Sequence, residues 1–255
     1  MSRNIIIHYH LFKNAGTSLD HSLKANFKGN WRNQEGKASG WLSADVANYL
    51  VEHTDIVVLS SHKALLPVPV IQGANIYPII FVRHPIDRVR SIYEFERQQT
   101  LVTEGSRMAK VTDLSGFVAW RLQRKGDRSI RNFQAHRFAG AIPASKAHSR
   151  LSEDERALLA IDVLPFVGIV EQYAHSLARL QEWLSPVFEG IELQPTKANV
   201  TQRGDQSLGE RLAAMRAELG VSLYEELIEA NQADMNLYNE LLARDSCASP
   251  PHPQN

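Results

Sequence analysis

Cysteine is nearly absent: the 255-residue chain has one, Cys247. No internal disulfide can form, and a metal site built from several cysteines is excluded. Such a chain suits a reducing compartment. Long apolar runs are missing too. Met1 to Ile7 holds a three-residue apolar stretch before His8, too short for the core of a signal peptide. No uninterrupted apolar run approaches the roughly 18 residues that span a bilayer. The expectation is a soluble, cytoplasmic protein with no membrane span. Charge of one sign is also lacking, since 28 Lys and Arg balance 28 Asp and Glu. A nucleic-acid coat needs a cationic surface to displace counterions, so no nucleic-acid partner is expected. A local basic pocket for one anionic ligand is still allowed. Glycine and proline are too few, at 14 and 11, for a collagen-like or low-complexity chain.

What is present reads as strands alternating with helices. Ile5 to Ile7, followed by His8-Tyr9-His10, reads as a buried strand. Lys13 to Ser18 is a small polar loop, and Leu19, Leu23 and Phe27 then follow at helical spacing. Gly29 to Gly40 reads as a loop. Ser43 is the expected cap of a helix reaching about His53. Ile56 to Leu59 and Ile76 to Val82 are further strands, with Pro85 suited to the first turn of the helix after the second. Leu101 to Lys110 reads as loop, and Thr112 or Asp113 as the cap of a helix through Leu122. A short helix is expected over Phe133 to Phe138, ended by Gly140, and another after Ser152. Phe166 to Val170 is a fourth strand, and Tyr173 to Leu184 an amphipathic helix. Ser207 to Ala243 is helical with a break near Gly220. The pattern predicts an α/β protein, a P-loop-like three-layer fold with a central, mostly parallel sheet flanked by helices. One domain over residues 1–245 and a flexible, proline-rich tail over 246–255 are expected.

Three segments carry chemistry. The loop Lys13-Asn14-Ala15-Gly16-Thr17-Ser18 follows a buried strand and opens a helix, which presents free N–H groups at the positive end of a dipole. Gly16 permits close backbone approach, Thr17 and Ser18 add hydroxyls, and Lys13 adds charge. The ATPase pattern GxxxxGK[ST] is absent, because the lysine precedes the glycine. In isolation the same loop would serve equally as a helix cap beside a surface lysine. Arg83 stands at the C-terminal end of a strand, where open α/β sheets bind ligands. Arg83 can fork onto a phosphate, and Ser91, eight residues on, can hydrogen-bond to it. Arg90 and Arg97 read as a solvated face. His62 follows the strand Ile56 to Leu59, on the same sheet edge as Lys13 and Arg83, and imidazole titrates where a general base must.

Together these segments resemble the sulfotransferases that use 3′-phosphoadenosine 5′-phosphosulfate (PAPS). His10-Leu11-Phe12-Lys13-Asn14-Ala15-Gly16-Thr17-Ser18-Leu19 resembles their 5′-phosphosulfate loop. It is most like the HxPKxGGTSL form of the carbohydrate branch that includes heparan sulfate 2-O-sulfotransferase. Val82-Arg83-His84-Pro85 through Arg88 and Ser91-Ile92-Tyr93 resembles the 3′-phosphate segment, xRDPxxRxxSxY. His62 falls about where that branch carries its catalytic histidine. Weaker similarities lie in Asn132-Phe133-Gln134 with Arg137 to Gly140, in Phe166-Val167-Gly168-Ile169-Val170-Glu171, and in Asn199-Val200-Thr201. Phe12 stands where the family has Pro, Asn14-Ala15 where it has a more glycine-rich pair, and His84 where it has Asp.

The resemblance implies a PAPS-dependent enzyme that moves a sulfuryl group to a hydroxyl of a carbohydrate or other small acceptor, with no metal required. It implies Lys13 at the leaving oxygen and His62 as general base. Lys13, Asn14, Ala15, Gly16, Thr17 and Ser18 would hold the 5′-phosphate, Arg83 and Ser91 the 3′-phosphate, and Lys197 or Arg203 would close over the nucleotide. A P-loop nucleotide kinase and a non-catalytic nucleotide-binding protein are the other readings. His8 and His10, alternating along the first strand, are expected on different faces, and a metal between them lacks further ligands. Arg121, Arg124, Lys125, Arg128 and Arg131 would supply one side of a basic cleft if the acceptor were an acidic polysaccharide.

Overall fold

The computed structural model describes residues 2–36, 40–143, 145, 148–194 and 206–247, the last two by backbone alone. Five strands, β1 (Arg3–Tyr9), β2 (Trp31–Asn33), β3 (Val58–Ser61), β4 (Ala74–Val82) and β5 (Val167–Ile169), form one sheet in the order β2-β3-β1-β4-β5. Every pairing is parallel, so the expected sheet is present and wholly parallel. Parallel sheets are covered on both faces, which is why their strands read as continuous apolar runs. On β1 the alternation splits the core. Ile5, Ile7 and Tyr9 join a cluster with α2 (Ser43–Glu52), α6 (Phe133–Ala139), α7 (Glu153–Val163) and α11 (Gln232–Cys247). Ile6 faces the other way, onto Leu19 and Leu23 of α1 (Gly16–Phe27) and Leu177, Leu180 and Leu184 of α8 (Tyr173–Leu184).

A third cluster lies off the sheet, mostly among helices, with Ile130 of the turn before α6 buried in it. It joins α3 (Pro85–Gln98), α4 (Glu104–Val111), α5 (Leu114–Gln123), α9 (Leu208–Leu219) and α10 (Val221–Glu229). Among the described residues, no helix is long and apolar enough to cross a membrane.

Four local expectations need correction. The segment 29–40 contains β2, a three-residue polar edge strand that pairs with β3 through Trp31↔Val58 and Asn33↔Ser60. Too short and polar to show periodicity, it is held by its neighbour's backbone. Residues 101–110 contain most of α4. Thr103 and Ser106 exchange side-chain-to-backbone bonds at its start, a capping box in place of a long apolar stripe. Ser43 does not cap α2: the cap position is Leu42, with no side-chain bond. The C-terminal helical stretch breaks twice, at Gly220 and again between Glu229 and Gln232.

From β1 the chain builds β3 and β2 on one flank, then crosses to build β4 and β5 on the other. The C-terminal ends of β3, β1 and β4 therefore lie side by side at the point where the winding reverses, where such sheets place ligands. The loops after them carry His62, Lys13 to Ala15, and Arg83.

Candidate functional site

Between β1 and α1 the chain turns sharply, with Lys13 and Ala15 both left-handed at φ 65° and 59°. Such values strain a residue bearing a Cβ. Asn14, buried between them, holds the turn by donating from Nδ2 to the Phe81 carbonyl at 2.8 Å and to Gln134 Oε1 at 2.7 Å. No side chain caps α1, so the first-turn N–H groups of Gly16 and Thr17 belong to the set that every helix start leaves without an internal partner. Thr17 is exposed and Ser18 buried. Phe12 meets the Phe95 ring edge-on at 5.3 Å, and the Lys13 ammonium lies 4.8 Å from the centre of that ring. Burial, and then the Arg83 charge, pull the Lys13 pKa below its ordinary value.

Arg83 is fixed by its backbone and its side chain together. Gln134 clamps the backbone, accepting from Arg83 N at 2.9 Å and donating to Arg83 O at 2.9 Å. The guanidinium donates to Asp87 Oδ2 from Nε at 2.9 Å and Nη2 at 2.6 Å, and from Nη1 to the Lys13 carbonyl at 3.3 Å. Three of the five N–H groups of an arginine are thereby engaged, which leaves the others for a ligand. Asp87 also takes Arg211 Nε at 2.9 Å. Burial alone would raise the Asp87 carboxyl, but Arg83 and Arg211 outweigh it and hold the pKa below the usual range.

The Gln134 clamp rests on a reciprocal cap. Asp234, fully buried at the start of α11, accepts from the N–H groups of Gln134 and Ala135 at 3.1 and 2.7 Å. Asn132, before α6, accepts through Oδ1 from Ala233 and Asp234 at 3.0 and 3.2 Å. His84 is buried against Tyr238, and burial pushes its pKa down to about 4 despite Asp87 nearby. Its N–H donates to Glu171 Oε1 at 2.9 Å, and Tyr238 donates to Glu171 Oε2 at 3.1 Å.

The histidines are arranged differently. His8 and His10 lie on one face of β1, stacked with centroids 5.0 Å apart, because residues i and i+2 of a strand share a face. The expectation of different faces is wrong for that reason. Their Nδ1 atoms contact the two oxygens of one carboxylate, Asp20, at 2.8 and 3.0 Å. Burial would raise that carboxyl; the two histidines outweigh it and drive the pKa well below the carboxylate range. His8, His10 and Asp20 bring three ligating atoms within 4.8 Å and form the group among the described residues that could hold a metal ion. The ligand that the sequence reading lacked is thus Asp20. The same atoms already satisfy one another as donors and acceptors.

His62 sits exposed at the end of β3, its ring 3.8 Å from that of His10. Its Nδ1 lies 2.9 Å from the His10 carbonyl. A carbonyl only accepts, so Nδ1 carries the proton and Nε2 keeps its lone pair. Glu35 Oε2 accepts from the His62 N–H at 3.0 Å, and Arg137 donates to the His62 and Ala64 carbonyls at 3.1 and 2.6 Å. Although the residue as a whole is exposed, partial burial of its ring and then His10 pull the His62 pKa below its ordinary value.

The structure thus gathers Lys13 to Ser18, His62 and Arg83 at one sheet edge. Ser91 is buried on α3, two turns into that helix. Lys197, Arg203 and Asn199 to Thr201 lie outside the described residues. The basic run is not a free cationic wall: Arg121 pairs with Glu96 and Asp127, Arg124 with Glu104, and Arg128 with Glu153. Sequence reasoning missed Asp20, Glu35 and Arg211. Asp20 was findable, since it interrupts the apolar face of α1 between Leu19 and Leu23, opposite two same-face histidines. Glu35 reaches the site from a polar segment with no periodic signal, and Arg211 from α9, a helix expected from the sequence but whose packing against α3 the sequence does not show.

No family model matches the chain. It is 34% identical over 249 residues to an uncharacterized protein of Archaeoglobus fulgidus, covering 95% of this chain and 97% of the other. The chain belongs to the family of that archaeal protein.

Proposed function

We propose that the chain is a PAPS-dependent sulfotransferase acting on a hydroxyl of a carbohydrate or other small acceptor. The observation that carries the reading is the junction of two anion-binding elements. The uncapped start of α1 and the Arg83 fork are joined through the Lys13 carbonyl, and an imidazole with an open Nε2 stands at the adjacent strand end. One nucleotide bearing two separated phosphates fits such a pair. When bound, PAPS would supply the sulfuryl group and a phosphate leaving group.

Each residue then has a defined task. First-turn N–H groups and the Thr17 hydroxyl hold the 5′-phosphate. Arg83 takes the 3′-phosphate with the N–H groups that Asp87 and Lys13 leave open. The acceptor oxygen forms its bond to sulfur while the sulfur–oxygen bond to the 5′-phosphate breaks. The acceptor proton passes to His62 Nε2, and the charge on the departing oxygen is met by Lys13. Positioning and electrostatics supply most of the rate in such transfers. The paired state of Arg121, Arg124 and Arg128 favours a neutral or weakly charged acceptor over a long acidic polysaccharide.

Calorimetric titration with adenosine 3′,5′-bisphosphate against Mg-ATP tests the reading. Tight binding of the bisphosphate is expected. Preference for Mg-ATP would move the assignment to a nucleotide kinase. Bisphosphate binding without sulfuryl transfer from PAPS to any acceptor in a broad hydroxyl panel would leave a non-catalytic nucleotide-binding protein.

A further inference from the structure

The buried polar trio at the end of β1 has no task in the reaction as described. Ile6, His8 and His10 share the face of β1 that looks onto α1. Where that face leaves the apolar core, three ionisable side chains take the place of a further apolar layer. His8, His10 and Asp20 are 1%, 6% and 9% exposed. Ionisable groups buried so deeply either pair with one another or ligate a metal. Here the pairing converges on one point. Both imidazoles aim the same nitrogen, Nδ1, at the two oxygens of a single carboxylate, at 2.8 and 3.0 Å. One ligating atom from each residue lies within 4.8 Å of the other two. Donor atoms on one zinc-like ion stand roughly 3–4 Å apart, at bonds of about 2.0–2.2 Å, and the distances in the trio bracket that spacing. Two hydroxyls border the group. Ser60 Oγ is 3.1 Å from His8 Nδ1. Tyr173 Oη on α8, within reach of the Asp20 charge, is buried with no hydrogen-bond partner among the described residues.

We propose that His8, His10 and Asp20 bind a divalent transition-metal ion of the zinc class, as a staple between β1 and α1. Two imidazoles and one carboxylate are a donor set that suits such an ion. The hydrogen-bonded trio is then the metal-free form of the site. Each imidazole gives the metal its Nδ1 lone pair, and the proton on that nitrogen passes to Nε2 or to solvent. Asp20 exchanges two N–H donors for the cation. A water on the remaining coordination position would give Tyr173 Oη the partner that buried hydroxyls ordinarily have.

The place of the trio in the chain gives the ion its effect. His10 stands three residues before Lys13, and Asp20 four residues after Gly16. One ion on both residues ties the strand end to the second turn of α1 and so closes the loop that carries Lys13 to Ser18. The ion would bind whether or not that loop takes a nucleotide.

The test is titration of the full chain with Zn²⁺ and with Co²⁺, after dialysis against a chelator and with no nucleotide present. One equivalent should bind at micromolar concentration or below, and Tm should rise with metal concentration, because an ion that binds the folded chain alone stabilises it. Asp20→Asn and His10→Gln should each weaken binding by more than the roughly 10–100-fold that loss of an outer-shell partner costs. His136→Gln, at an exposed position on α6, should bind as the wild type does. Wild-type spectra keep the test intact if a variant fails to fold. On addition of Zn²⁺ the imidazole ¹⁵N signals of His8 Nδ1 and His10 Nδ1 should both move to metal-bound positions, while His62 Nδ1, held on the His10 carbonyl, stays a protonated nitrogen. No bound equivalent, binding that survives both variants unchanged, or His8 and His10 Nδ1 signals that do not move would overturn the site. Bisphosphate binding, measured without metal, stands or falls separately.

Discussion

The two flanks of the site use charge in opposite ways. On the β4 and α3 flank, Arg83 and Arg211 share Asp87, and Glu171 lies between a backbone N–H and a phenol. These groups fix geometry. On the β1 and β3 flank, three imidazoles are layered over one carboxylate, with burial pulling His10 and His62 down from ordinary values. On the function proposed above, the first flank is a scaffold that would position an anion and the second a histidine relay that would take the acceptor proton, although both hang on neighbouring ends of one parallel sheet.

The sharpest break in that comparison is His62→Ala. It should lower turnover by roughly 10²–10⁴, the usual worth of a general base, while leaving bisphosphate affinity nearly unchanged. Near-normal kcat on a true acceptor would remove His62 from the relay. Gly16→Ala attacks the contact between cradle and relay. The new methyl cannot coexist with the His10 ring, so helix or imidazole must shift. A loss of about 1–3 kcal/mol, typical of overpacking, is expected in thermal denaturation, with weakened bisphosphate binding. An alanine variant of unchanged Tm and affinity would show that the close packing is not needed.

Asp87→Asn sharpens the scaffold side. The folded Asp87 pKa is depressed, because Arg83 and Arg211 outweigh burial. Its stabilisation is therefore complete above the unfolded value near 3.9 and is lost as pH falls through the folded one. Wild type should exceed the variant by about 1–3 kcal/mol near neutrality, and the gap should close in acid below that unfolded value. A gap that widened in acid would contradict the ion-pair account. Arg128→Ala lies at the far end of the scale. Its pair with Glu153 is exposed, so stability should change by less than about 1 kcal/mol and nucleotide affinity not at all. A marked loss of affinity would restore the basic run as part of the site.

Much of the edge was legible because its determinants are local. The isoleucine run, the glycine at the loop's end and Pro85 place β1, α1 and α3 by short-range rules. The strand-to-loop positions of Lys13, His62 and Arg83 follow from those elements. The segments with weaker family likeness became intelligible only in three dimensions. Asn132, Gln134 and Glu171 serve the site through its backbone, by capping and clamping, which leaves no chemical signature of its own. β2 and α4 were hidden because a neighbouring strand and a polar capping box hold them, so no apolar period reveals them. Asp20 was missed through a parity error on β1: two histidines two residues apart share a face, and here they meet one carboxylate.

The central claim is that the cradle and the Arg83 fork hold the two phosphates of one nucleotide. The direct measurement is a binding cycle with adenosine 3′,5′-bisphosphate and AMP on the wild-type protein and Arg83→Ala. The account predicts that wild type prefers the bisphosphate by about tenfold or more, as expected for one charge-assisted arginine–phosphate contact, and that Arg83→Ala binds both nucleotides alike. Retention of the preference in Arg83→Ala, or its absence in wild type, would contradict it.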